Sequence, residues 1–154
     1  SPGDLFVHRN IANMIINTDL SSMSVINYAV SHLKVGHIVI CGHYYCGGVK
    51  AAMQSADLGI LNLWLREIKD VYRLHSEELN EMSDEEARYK RLVQLNVEEQ
   101  CINVLKIPEV QKARREKALE VHGWVFDLRT GQLVDLKIKV DEIDEDIISV
   151  YRVR

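Results

Sequence analysis

The 154 residues weigh 17.7 kDa, about one domain's worth. Hydrophobic residues make up 47% and charged residues 27%, enough apolar surface to exclude disorder over most of the chain. The net charge of −4, with no basic cluster longer than Arg114-Arg115, gives no electrostatic reason to bind nucleic acid, and no apolar run reaches the roughly 18–20 residues of a membrane span. Three cysteines are an odd count and too few for a disulfide framework, which predicts a reducing compartment, the cytoplasm.

Ser1-Pro2-Gly3 is turn chemistry that leads straight into Leu5-Phe6-Val7. Domains seldom start on the turn before a buried strand. The expectation is that residues upstream were removed or lie outside this sequence; a mature or vector-derived start is the other reading. Leu5 to His8 reads as a short buried strand, and residues 11–20 as a loop or irregular helix. Ser24 to Leu33 places Val25, Tyr28, Ala29 and Leu33 on one helical face, with Ser21 or Ser22 as its cap and Gly36 as its stop. His37 to Cys41 is a β-branched run without alternation, predicting a strand buried on both faces, as in a parallel sheet.

Gly42 to Gly48 is a glycine-rich loop, and Val49 to Gln54 begins a helix. Leu58 to His75 is amphipathic, with Leu61, Trp64, Leu65, Ile68, Val71 and Tyr72 on one face. Ser83-Asp84-Glu85-Glu86 resembles a capping box and opens a helix to about Lys106, striped by Leu92, Leu95, Val97, Cys101, Ile102 and Leu105. Pro108 breaks it and starts a short helix to Arg115. Leu119 to Leu128 is strand-like, Arg129-Thr130-Gly131 is a turn, and Leu133 to Val140 alternates as a hairpin partner. Asp141 to Asp146 reads as a solvated turn before a short C-terminal helix. The pattern predicts one α/β domain over 1–154, a mostly parallel open sheet flanked by helices with a C-terminal hairpin.

The chemistry concentrates in Cys41-Gly42-His43-Tyr44-Tyr45-Cys46-Gly47-Gly48, between a strand and a helix. Ligands in open α/β sheets sit beyond the carboxyl ends of strands. His43 and Cys46 are three residues apart, a spacing that lets an imidazole nitrogen and a thiolate converge on one ion, and zinc takes both. The glycines permit positive φ and close backbone approach. Gly47 and Gly48 offer N–H groups to an anion at a helix start. A redox reading is the rival: Cys41 pairs with Cys46, or His43 activates the Cys46 thiolate. Cys41 and Cys101 read as core residues, His8 and His122 as satisfied core histidines, His32 and His75 as surface residues, and Trp64 and Trp124 as core or interface.

Four stretches then resemble the β-class carbonic anhydrases of the bacterial-type subclass. They are Pro2-Gly3-Asp4-Leu5-Phe6-Val7-His8-Arg9-Asn10-Ile11-Ala12-Asn13, Cys41 to Val49, Asn62-Leu63-Trp64-Leu65, and His122-Gly123-Trp124-Val125-Phe126-Asp127. The resemblance implies zinc, reversible hydration of carbon dioxide to bicarbonate, and a homodimer or tetramer. It makes His43 and Cys46 the second and third metal ligands and puts Gly47 and Gly48 at the substrate. It puts the first ligand, a cysteine, in a Cys-x-Asp-x-Arg motif just before the segment matching Pro2-Gly3-Asp4. That motif, with its catalytic Asp–Arg dyad, is outside these 154 residues, as is the strand that carries it. The resemblance thus predicts that the N-terminal portion of the family fold is missing and that this chain alone is catalytically dead or nearly so, because lowering the pKa of bound water toward about 7 takes three protein ligands and an open position. It also aligns Arg9 with an arginine of a regulatory bicarbonate site, whose tyrosine partner is here Phe126; the other reading of Arg9 is an ion pair with Asp4 or Asp127. Two alternatives stand beside the enzyme: a non-catalytic, metal-poor structural or interaction relative that kept the dimer surface, and a thiol-based redox protein using Cys46.

Overall fold

The computed structural model describes residues 1–146 and 148–154. An irregular start and a 3-10 turn at Ile11–Asn13 precede α1 (Leu20–Asn27), a π turn (Tyr28–His32), β1 (His37–His43), α2 (Gly47–Ala52) and α3 (Leu61–Leu74). There follow α4 (Ser76–Glu81), α5 (Glu85–Leu105), α6 (Pro108–Arg115), β2 (Glu120–Phe126), β3 (Leu133–Asp135), α7 (Val140–Asp146) and α8 (Ile148–Tyr151). The fold is α/β: helices flank a small mixed sheet of order β1-β2-β3. β1 and β2 run parallel, from His37 opposite Glu120 to His43 opposite Phe126, and β3 returns antiparallel along β2.

The core is built on α5, which buries Leu92, Val93, Leu95, Val97, Cys101, Val104 and Leu105. Its sheet-facing side lies on a floor that includes two glycines. A Cβ at Gly42 would stand 2.7 Å from Val97 Cγ2, and one at Gly123 would stand 3.0 Å from Val97 Cγ1 and nearer still to Ile138 Cδ1. The helix can approach the strands this closely only because both positions lack a side chain.

The irregular segment before α1 is held by polar groups of the same helix. Gln100 Oε1 accepts from Ile15 N–H at 2.8 Å, and Asn96 Nδ2 donates to the Ala12 carbonyl at 2.9 Å. Gln100 Nε2 donates to Asn96 Oδ1, and Asn103 Nδ2 donates to the Ile15 carbonyl. Asn96 and Gln100 are fully buried, so backbone without a strand partner finds its bonds inside the core. This anchoring keeps Ala12 and Asn13 at positive φ, 64° and 46°.

Several expectations are corrected. Leu5 to His8 is no strand: Leu5, Phe6 and Val7 are exposed, and among the described residues no ladder pairs with them. β1 is covered on one face only. Ile40 and Gly42 are buried under α5, whereas His37, Val39 and Cys41 are exposed on the other face. Cys41 is therefore not a core residue. The cap of α1 is Asp19, not a serine; its carboxylate accepts from the Ser21 and Ser22 N–H groups and the Ser22 hydroxyl. Asp84, not Ser83, caps α5. α3 begins only after Gly59, at φ 64°, and breaks at His75. β3 is shorter than Leu133 to Val140, because the Asp135 carboxylate takes the Lys137 N–H and Lys137 turns to φ 50°. Val140–Asp146 is a helix rather than a turn, with Asp141 and Glu142 in its first turn, where the helix dipole favours acids.

Two substitutions test this architecture. Gly42→Ala forces a methyl against β-branched Val97 and should lower stability by about 1–3 kcal/mol. Gln100→Leu keeps the volume but orphans the part-buried Ile15 N–H, and should also cost about 1–3 kcal/mol. Urea midpoints at unchanged m-value measure both.

Candidate metal centre

β1 ends in the chemistry-bearing loop. His43 is its last residue and Cys46 directly precedes α2, so both lie at the carboxyl end of the strand. The turn between them is made by Tyr45 at φ 65°, not by a glycine; Gly47 and Gly48 are helical residues of α2. Close approach, the other expected use of glycine, holds at Gly48. A Cβ there would stand 2.8 Å from Ile11 Cγ2 and 3.8 Å from Cys46 Sγ. The 3-10 turn thus lies against the start of α2, with the Cys46 sulfur beside it.

His43 is half-buried, and its Nδ1 lies 2.9 Å from the Tyr44 carbonyl. A carbonyl only accepts, so Nδ1 donates, and in the neutral ring Nε2 keeps its lone pair for a ligand. Cys46 is buried, at 4% exposure. Its carbonyl accepts the Tyr89 hydroxyl at 2.6 Å. Burial first, then the neighbouring Cys46 and Tyr45, push the Tyr89 phenol up to about 12, so it stays a donor at physiological pH. The Tyr44 N–H donates to the Phe126 carbonyl, and its hydroxyl accepts from Gln94 Nε2 at 2.7 Å. Arg129 stacks its guanidinium 3.8 Å from the Tyr45 ring centre. Each residue of the turn is thereby fixed from α5, β2 or the loop after it.

An imidazole nitrogen freed by its tautomer and a buried thiol at one strand end form a donor set that fits zinc. The redox reading finds less. The three cysteines are free, with Cys41 exposed on β1 and Cys46 buried. Burial raises the Cys41 thiol, which lowers its thiolate fraction at neutral pH. Burial, with Glu98 adding, pushes Cys101 up to about 12, as suits a packing residue inside α5.

Comparison with known proteins decides the family. The carbonic anhydrase family matches residues 1–133. The chain is 58% identical over 150 residues to a carbonic anhydrase of Emericella nidulans, covering 97% of this chain and 66% of that protein. A Candida albicans carbonic anhydrase is 36% identical over 152 residues, covering 97% and 54%. The β-carbonic anhydrase CafA of Aspergillus fumigatus superposes with a TM-score of 0.91 at 39% identity, covering 100% of this chain and 74% of that one. A structure from work on two tetrameric β-carbonic anhydrases of Sordaria macrospora gives 0.85 at 45%, covering 90% and 71%. The chain belongs to the β-class carbonic anhydrase family. It spans 66% and 54% of the length of the two curated relatives named here.

Other residues singled out in this carbonic anhydrase relative fall as follows. Arg9 is exposed and, among the described residues, pairs with neither Asp4 nor Asp127. Asp4 faces the N-terminal amine, and the Asp127 carboxylate accepts from the Arg129 and Thr130 N–H groups of the turn. Phe126 presents a ring without a hydroxyl beside the end of β1. His8 is half-buried, but its Nε2 is buried without a partner, so it is not a satisfied core histidine. His75 is no surface residue; it joins α3 to α4 and holds Glu99 at 2.8 Å. Trp64 donates its indole N–H to the Ile11 carbonyl, fixing the 3-10 turn beside Cys46.

Tyr89, Gln94 and Trp64 were not legible as supports of the site, since nothing in their spacing shows which backbone they reach. Tyr89→Phe removes one donor to the Cys46 carbonyl while keeping the ring. It should cost about 1 kcal/mol of stability, read as a shift of the urea midpoint at unchanged m-value.

Proposed function

We propose that this chain belongs to a zinc enzyme that interconverts carbon dioxide and bicarbonate, with His43 and Cys46 as two of its metal ligands. One observation carries the reading: the Tyr44 carbonyl holds His43 Nδ1 at the same strand end that presents Cys46. Zinc in such a set supplies a nucleophile from water near neutral pH. The chain's residues would do the rest. Tyr89 and Gln94 keep the loop rigid from α5, so both donors are preorganised. Gly47 and Gly48 open the first turn of α2, where backbone N–H groups lack partners within the helix and suit an anionic product.

A homo-oligomer, dimer or tetramer, completes the proposal. The exposed apolar side chains of Phe126 and Leu133 at the carboxyl end of the sheet, with Leu5, Phe6 and Val7, support it. The three free thiols favour the cytoplasm. No described helix is long and apolar enough to cross a membrane.

The test is Cys46→Ser beside His43→Gln in the full-length protein, with zinc content by mass spectrometry and hydration by stopped flow. Both variants should lose zinc and at least about 100-fold in turnover. Wild-type protein without zinc, or a Cys46→Ser variant as active as wild type, would overturn the assignment.

A further inference from the structure

We propose that His37, Glu120 and His122 form a second divalent-cation site at the end of the sheet opposite His43 and Cys46. His37 opens β1 and Glu120 opens β2, and the two are register partners; His122 follows on the same face of β2. His37 Nδ1 lies 3.1 Å from His122 Nε2. A Glu120 carboxylate oxygen lies 3.8 Å from the first nitrogen and 3.7 Å from the second. The two nitrogens can share one proton, but the carboxylate is too far for a direct hydrogen bond to either. A carboxylate oxygen therefore stands almost equidistant from two imidazole nitrogens and hydrogen-bonds to neither.

A cation at the middle of that triangle would lie within bonding distance of all three. Its centre lies about 2.1 Å from each corner, within the bond lengths of zinc to nitrogen and carboxylate oxygen. Binding needs only that the shared proton move to the outer nitrogen of its ring, leaving Nδ1 of His37 and Nε2 of His122 as donors. Two imidazoles and one carboxylate are a ligand set that zinc accepts with an open position for water. The backbone under the ligands is fixed by the parallel ladder and by the Glu120 N–H bond to the Gly36 carbonyl. The side chains are solvent-accessible, 64%, 71% and 31% exposed for His37, Glu120 and His122, so an ion can enter without opening the fold. His43 lies six positions along β1 from His37, about 20 Å, so the two sites cannot share an ion.

Calorimetric titration of the full-length protein with zinc tests the site. Wild type should bind one more ion per chain than His37→Gln or His122→Gln, and that difference of one holds whichever way the loop at His43 behaves. Glu120→Gln should retain the extra ion at least 10-fold more weakly. His37 is mostly exposed, so His37→Gln should melt at the wild-type temperature by circular dichroism, and it decides the matter if His122→Gln fails to fold. Equal ion counts in wild type and His37→Gln, or an unchanged affinity in Glu120→Gln, overturn the site and leave a hydrogen-bonded histidine pair.

Discussion

The structure depends on how closely α5 lies against β1 and β2. Val97 sits over Gly42 and Gly123, one glycine from each strand, and a methyl at either place would collide with it. That contact fixes the depth at which the helix rests, and the depth decides which other side chains of α5 reach the loops. Packed interiors are dense enough that a helix displaced by one methyl carries its neighbours with it. The apolar stripe of α5 supplies the burial, while the two glycines set its height.

From that seat one helix serves both the core and the candidate site. Tyr89 and Gln94 lie before Val97 on α5 and bond to Cys46 and Tyr44. Asn96, Gln100 and Asn103 bond to the backbone of Ala12 and Ile15. Asn96 and Gln100 are buried, so their value lies in being satisfied: each lost partner leaves a desolvated amide or carbonyl. A metal loop held this way needs no rearrangement to present its donors, and a segment that forms no strand stays ordered beside it.

Much of this was legible in the sequence. Pro108 marked the start of α6, and His43 with Cys46 stood out by chemistry and spacing, although β1 runs two residues past Cys41, through Gly42 to His43. The long helix was evident from its stripe, but Asn96 and Gln100 within it were not, because a buried amide differs from an exposed one only by the backbone it meets. Leu5 to His8 has the composition of a strand, yet strand formation is decided by a neighbour's hydrogen bonds, and composition does not contain the neighbour. The same gap hid which face of β1 is covered. The run Ile38 to Cys41 is apolar throughout, so no alternation marked Val39 and Cys41 as the open side. Asp19 and Asp84 cap their helices in place of serines one to three positions away, a choice set by small shifts in where each helix begins.

The histidines show the limit most clearly. Read alone, His37 is the polar residue before an apolar run and His122 a polar residue inside another, 85 positions apart. Only the pairing of the strands joins them. In a parallel ladder with His37 opposite Glu120, the side chains of positions 37, 120 and 122 share one face and one end. A shift of one residue would send one strand's set into the core side under α5, where a carboxylate and an imidazole would lie buried without water. The register that hides Ile38, Ile40 and Gly42 against Val121, Gly123 and Val125 is therefore the register that gathers His37, Glu120 and His122 outside. The polar cluster is a consequence of the hydrophobic one: burial chooses the pairing, and the pairing brings the three donor groups together.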